Sequence, residues 1–194
     1  MKFLLVLIFT GSFLGCISCN QRKKNTRSPA AIARDTANYY PLNSFIEEQS
    51  RFVDLRNLMI LRTITQNGKV KKDTISKNIF FTELLPFKTL ATDFTTQKKH
   101  YKETVFQDLG TESYTLNYQS TNSDLAIQRI DILLRAETNT VKQLFARRVF
   151  QKSDSSITQQ LSFSTDKKME ISTEYSINNS KPNREIRLIE WIKE

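Results

Sequence analysis

The sequence predicts an α+β domain: a curved antiparallel β-sheet, a meander of half-barrel shape, packed on two N-terminal helices. Three observations carry this expectation. Residues 41–55 place their large apolar side chains on one helical stripe, and residues 76–90 carry the start and stop signals of a second helix. Residues 101–193 break into short segments of alternating apolar and polar character, separated by turn-forming stretches. Asn67-Gly68 lies between two β-rich runs, the strongest short hairpin signal a sequence offers. With that hairpin counted, about nine strands and two helices are expected, and a sheet polar on one face needs those helices to cover the other.

The elements follow in order. Residues 20–38, NQRKKNTRSPAAIARDTAN, hold few large apolar side chains and read as a flexible basic linker, so a single folded domain is expected over 39–194. In PLNSFIEEQSRFVDL, residues 41–55, Leu42, Phe45, Ile46, Phe52 and Val53 share a face, and Pro41 suits a first turn. LMILRTITQNGKVKKDTI supplies the hairpin. SKNIFFTELLPFKTL, residues 76–90, reads as a helix capped by Ser76 and broken at Pro86. Then come YKETVFQD, ESYTLNYQS, LAIQRIDILLRAE, VKQLFARRVFQK, SITQQLSFS, KMEISTEYSI and REIRLIEWIK, joined by short polar turns. Met169, Ile171, Thr173, Tyr175 and Ile177 alternate with polar neighbours, which is the period of a half-buried strand, and the short joints make neighbouring strands antiparallel.

Residues 1–19 have a different character. MKFLLVLIFTGSFLGC has Lys2, an apolar run from Phe3 to Phe9, and then Thr10, Gly11 and Ser12, the outline of a secretory signal. The stretch from Phe3 to Leu14 falls short of the roughly 17–25 residues of a spanning helix. The only two cysteines, Cys16 and Cys19, close this segment, each after a small residue, Gly15 or Ser18. This pattern resembles the bacterial lipobox, which implies that the cysteine is lipidated and becomes the mature N-terminus. Phe13 stands three residues before Cys16, where that family prefers Leu, and Cys16 stands there for Cys19; the expected lipidation site is Cys16 or Cys19. A disulfide between them would staple nothing.

An acyl anchor contributes ~0.8 kcal/mol per buried CH₂. Arg22, Lys23, Lys24 and Arg27, with no acid among them, would add roughly 1 kcal/mol each against an anionic leaflet. In lipoproteins of the Bacteroidota type an acidic run after the cysteine resembles a surface-export signal, and its absence here points to the periplasmic side. The expected location is thus the cell envelope, lipid-anchored at the outer membrane and facing the periplasm. The chain resembles the uncharacterised small lipoproteins of Bacteroidota. The expected architecture, over roughly residues 40–193, is similar to the half-barrel carriers LolA and LolB. That resemblance implies an exposed apolar loop residue for membrane insertion, for which Leu85 and Phe87, beside Pro86, are the candidates.

The residues of most catalytic constellations are few. His100 is the single histidine, set in the basic run QKKHYK, so no multi-histidine metal site and no cofactor are expected. Only Gly68 and Gly110 lie beyond the export segment, too few for a phosphate cradle or a nucleophile elbow. Ser164-Thr165-Asp166-Lys167 resembles the Ser-x-x-Lys pattern of penicillin-recognising enzymes, but it joins two strands and reads as a turn. Glu47 and Glu48 diverge by about 100° on a helix and read as a solvated face. Trp191, Tyr114, Tyr118 and Phe163 read as core. Arg147 and Arg148 stand among Phe145 and Phe150, an interleaving found in single-strand nucleic-acid grooves. On a strand, however, the two arginines point to opposite faces, and the inward one is expected to pair with Asp131. No nucleic-acid partner is expected.

The net charge of +9, from 29 Lys+Arg and 20 Asp+Glu, favours an anionic partner. The reading is a non-catalytic, membrane-tethered binding or docking domain, with a LolB-like carrier or acceptor of lipid or lipoprotein as the alternative. An open apolar cavity would mark the carrier. A sheet filled by Phe45, Phe52, Phe80 and Leu84 would mark the docking domain.

Overall fold

The computed structural model describes residues 39–178 and 182–193. The expected lipidation site, Cys16 or Cys19, and the basic residues Arg22, Lys23, Lys24 and Arg27 lie outside the described residues. The α+β class and the antiparallel meander are as expected. Among the described residues there are nine strands, β1 (Leu58–Gln66), β2 (Lys69–Thr74), β3 (Tyr101–Asp108), β4 (Ser113–Ser120), β5 (Ile127–Arg135), β6 (Val141–Gln151), β7 (Ser155–Ser164), β8 (Lys168–Ile177) and β9 (Asn183–Lys193).

Three helices, rather than two, accompany them: α1 (Leu42–Asp54), α2 (Lys77–Glu83) and α3 (Leu85–Gln97). The additional helix arises at Pro86. The chain breaks at Leu84, as the proline requires, and then re-enters a helix with Pro86 in its first turn. An N–H is unsatisfied there in any helix, so proline costs nothing. Helix α3 therefore runs to Gln97, past the expected end at residue 90. Ser76 caps α2 as expected, its Oγ accepting from the Ile79 N–H.

One open sheet holds all nine strands in the order β2-β1-β9-β8-β7-β6-β5-β4-β3. From β3 to β9 the chain is a simple meander. The β1–β2 hairpin docks beside β9, so that Ile60 faces Trp191 and Arg62 faces Ile189. The segment α2–α3 accordingly carries the chain from one sheet edge, β2, to the other, β3. Asn67 (φ 51°) and Gly68 (φ 77°) close the hairpin with two left-handed residues, a type I′ turn. Nothing lies within 4 Å of a Cβ built on Gly68, so the cost of a side chain there is purely conformational. Gly68→Ala should lower stability by about 1 kcal/mol, read as a shift in the urea midpoint with an unchanged slope.

The inner face of the sheet carries the core. Leu42, Phe45, Ile46 and Val53 of α1, Phe80 of α2, and Phe87, Leu90, Ala91 and Phe94 of α3 are buried against it. Phe163 of β7 touches the rings of Phe45 (5.6 Å), Phe87 (5.3 Å) and Trp191 (5.6 Å). At the far end Phe94 meets Tyr101 (5.1 Å) and Tyr118 (4.9 Å). Phe52, expected in the core, is half-buried at its rim beneath the Arg56 guanidinium, 3.8 Å from the ring centre. Its place on the stripe is taken by Gln49, whose Oε1 accepts from the Asp166 N–H in the β7–β8 turn at 2.9 Å. That turn is the Ser164–Lys167 stretch, with Asp166 at φ 59°.

Candidate functional site

The helices fill the inner face. Phe45, Phe80 and Leu84 are buried, as is the Trp191, Tyr118 and Phe163 group. Phe87 is fully buried too, which removes it from the expected membrane-contact residues: it belongs to a helix that turns it onto Phe163. Leu85, two positions earlier, is exposed.

Two sets of buried charge hold helices to this face. Glu83, at the end of α2, accepts from Arg62 of β1 (Nη1, 3.0 Å) and from Arg187 of β9 (Nη1, 2.8 Å). Arg62 also forks onto Asp73 of β2 at 2.6 and 3.1 Å, and Arg187 lies 3.1 Å from Glu185. The second set is Arg148 of β6. Its Nη1 donates to the Pro86 carbonyl (3.3 Å), its Nη2 lies 3.8 Å from Asp93 of α3, and the Phe150 ring is 4.8 Å away. Burial pushes the Arg148 pKa down against the weaker pull of Asp93. The partner expected from sequence, Asp131, is on the opposite face and accepts instead from Arg129 (2.7 Å) and Asn117 (2.6 Å). Strand parity explains the difference, since Asp131 is opposite Phe145, the odd-numbered face of β6.

The Arg62 fork holds the Asp73 carboxyl below its usual 3.8. A depressed carboxylate stabilises the fold fully above that usual value and loses the contribution as pH falls through the depressed one. Asp73→Asn should therefore flatten the fall in stability below about pH 4, measured by urea unfolding at stepped pH.

The outer face carries an open groove of about 580 Å³ across β5–β8. Sheet register builds it: Asp131, Phe145, Ser162 and Glu170 form one cross-strand row, flanked by Arg129, Arg147 and Gln160 on one side and Gln143 and Lys168 on the other. Phe145 stands near the middle, 44% exposed. Among the described residues, Arg147, Lys168 and Glu170 carry no salt bridge. A bare aromatic face ringed by a guanidinium, an ammonium, a carboxylate and amides can stack on and hydrogen-bond a polar partner.

Among the described residues, no three His, Cys, Asp or Glu side chains converge as a metal site, and no helix is long and apolar enough to cross a membrane. His100 serves through its backbone, its carbonyl accepting from the N–H and the hydroxyl of Thr121 (both 2.8 Å). Glu47 and Glu48 are exposed on α1. Sequence reasoning named Arg147 and Phe145 but not the groove, because Ser162, Lys168 and Glu170 reach it only through sheet register. No family model, curated protein or solved structure matches the chain.

Proposed function

We propose that the chain is a membrane-anchored lipoprotein of the cell envelope whose domain works by docking a polar or anionic partner on its outer sheet face, without catalysis. One observation carries the docking part: the inner face is occupied by the protein's own helices, while the outer face holds an open groove with an exposed phenylalanine among charged and amide side chains. A groove of this make-up offers stacking area and directional polar contacts together. The filled inner face weighs against a lipid carrier, which needs that space for its cargo. The anchor rests on the N-terminal pattern and on Cys16 or Cys19.

Two measurements test this. Intact-mass analysis of the full chain made in a bacterial host should give a mature protein acylated at Cys16 or Cys19 and retained with membranes. A soluble chain still beginning at Met1 would overturn the anchor. In a chain with Cys16 and Cys19 replaced by serine, so that no acyl anchor forms, Phe145→Ala with Arg147→Ala should abolish retention on purified envelope fractions while each of these two substitutions changes stability by less than about 0.5 kcal/mol. Equal retention of variant and parent would overturn the groove as the docking face.

A further inference from the structure

The two edges of the sheet are unlike. Edge strand β2 carries Lys69, Lys71 and Lys72, all exposed, the usual guard against a further strand. Edge strand β3 is less guarded: it carries one exposed lysine, Lys102, against three on β2, and at its start the Tyr101 carbonyl accepts from the Tyr39 hydroxyl (3.0 Å). Its eight residues pair with β4 in unbroken register, without a bulge or a proline to bend the free side away. Phe106 on it is 59% exposed, and Leu109, just beyond it, 78%.

We propose that β3 is an interface for a second copy of this chain. The two β3 strands pair antiparallel about a two-fold axis at Val105 and join two nine-stranded sheets into one. Its own sequence specifies the register. With Val105 opposite itself, Lys102 of each copy faces Asp108 of the other, so two opposite-charge pairs form on the outer face. Thr104 faces Phe106 of the second copy, and the two Phe106 rings become diagonal neighbours across the axis, about 7–8 Å apart, within reach of aromatic side chains. Glu103 faces Gln107 on the inner side. Slipping the pair by two residues either way breaks both Lys–Asp pairs, and slipping by one turns each side chain to the wrong face. Past the strand, the exposed Lys98 and Lys99 of one copy run toward the end of the other that carries Asp108 and Glu112. The Asp108 carboxylate is ready for this: the Thr111 hydroxyl and the Gly110 and Thr111 N–H groups already hold it ionised.

Sedimentation velocity of the full chain in a non-ionic detergent tests the interface. The expected result is a reversible monomer–dimer equilibrium at concentrations below about 100 μM, a weak but specific affinity for a small interface. Lys102→Glu sets two like charges against each other twice per dimer and should weaken association about tenfold or more. Phe106→Lys should do the same, and both sites are exposed, so both variants should melt like the parent. Val105→Cys should oxidise to a dimer whose peptide map shows residue 105 joined to residue 105. A chain monomeric throughout that range, a dimer indifferent to Lys102→Glu, or a failure of the 105–105 linkage to form would each overturn the proposal.

Discussion

Phe163→Ala should destabilise the domain by about 3–5 kcal/mol, measured as the loss in unfolding free energy of the full chain in urea. The ring is fully buried on β7 and meets α1 through Phe45, α3 through Phe87 and β9 through Trp191. Two of those contacts are edge-to-face, an arrangement that contributes about 0.5–1.5 kcal/mol per pair beyond area burial. The cavity left by truncation cannot collapse readily. Its walls are carried by two helices and by β9, two strands away in the sheet, each held elsewhere by its own contacts. Phe163→Leu fills most of the space and should cost less than half as much. A loss under about 1 kcal/mol for the alanine variant would mean that α1 and α3 do not pack on β7.

Glu83→Ala should cost about 3 kcal/mol, because it withdraws the carboxylate that two guanidinium groups share in a largely buried place. Arg62 retains Asp73 and Arg187 retains Glu185, so the loss falls short of that for an orphaned pair. The bridge also pins the end of α2 onto β1 and β9. Its energetic signature is coupling: Glu83→Ala combined with Arg187→Ala should cost at least about 1 kcal/mol less than the two single losses added together. Strict additivity in that cycle would show that the ionic contact contributes nothing to stability.

Local features were legible in the sequence. Strands β3 and β8 match their expected segments residue for residue, because alternation and turn chemistry are short-range signals. The Asn67-Gly68 hairpin and the Ser76 cap are equally local. Partners brought together across long stretches of chain were not legible. Gln49 meets Asp166 across 117 residues and Glu83 meets Arg187 across 104, and no periodicity announces either. The inward arginine of the 147–148 pair was expected, and Arg148 is buried, but its acidic neighbour comes from a helix whose existence the proline had hidden. The outer groove was missed for a related reason. Its charged residues lie on three strands, β5, β6 and β8, and only sheet register makes them neighbours.

The pairing of β1 with β9 has a consequence for how the domain comes into being. Nine backbone partners, from Leu58 with Lys193 to Gln66 with Glu185, join the earliest strand of the sheet to the last. During synthesis β1 and β2 emerge with one flank unfilled and stay so until residues 183–193 arrive. Non-local pairing of this kind pays its loop-closure entropy before any reward, so completion is slow and late. Until then the sheet is incomplete and vulnerable to proteases and to stray strands. Strand β9 is the latch that closes the gap.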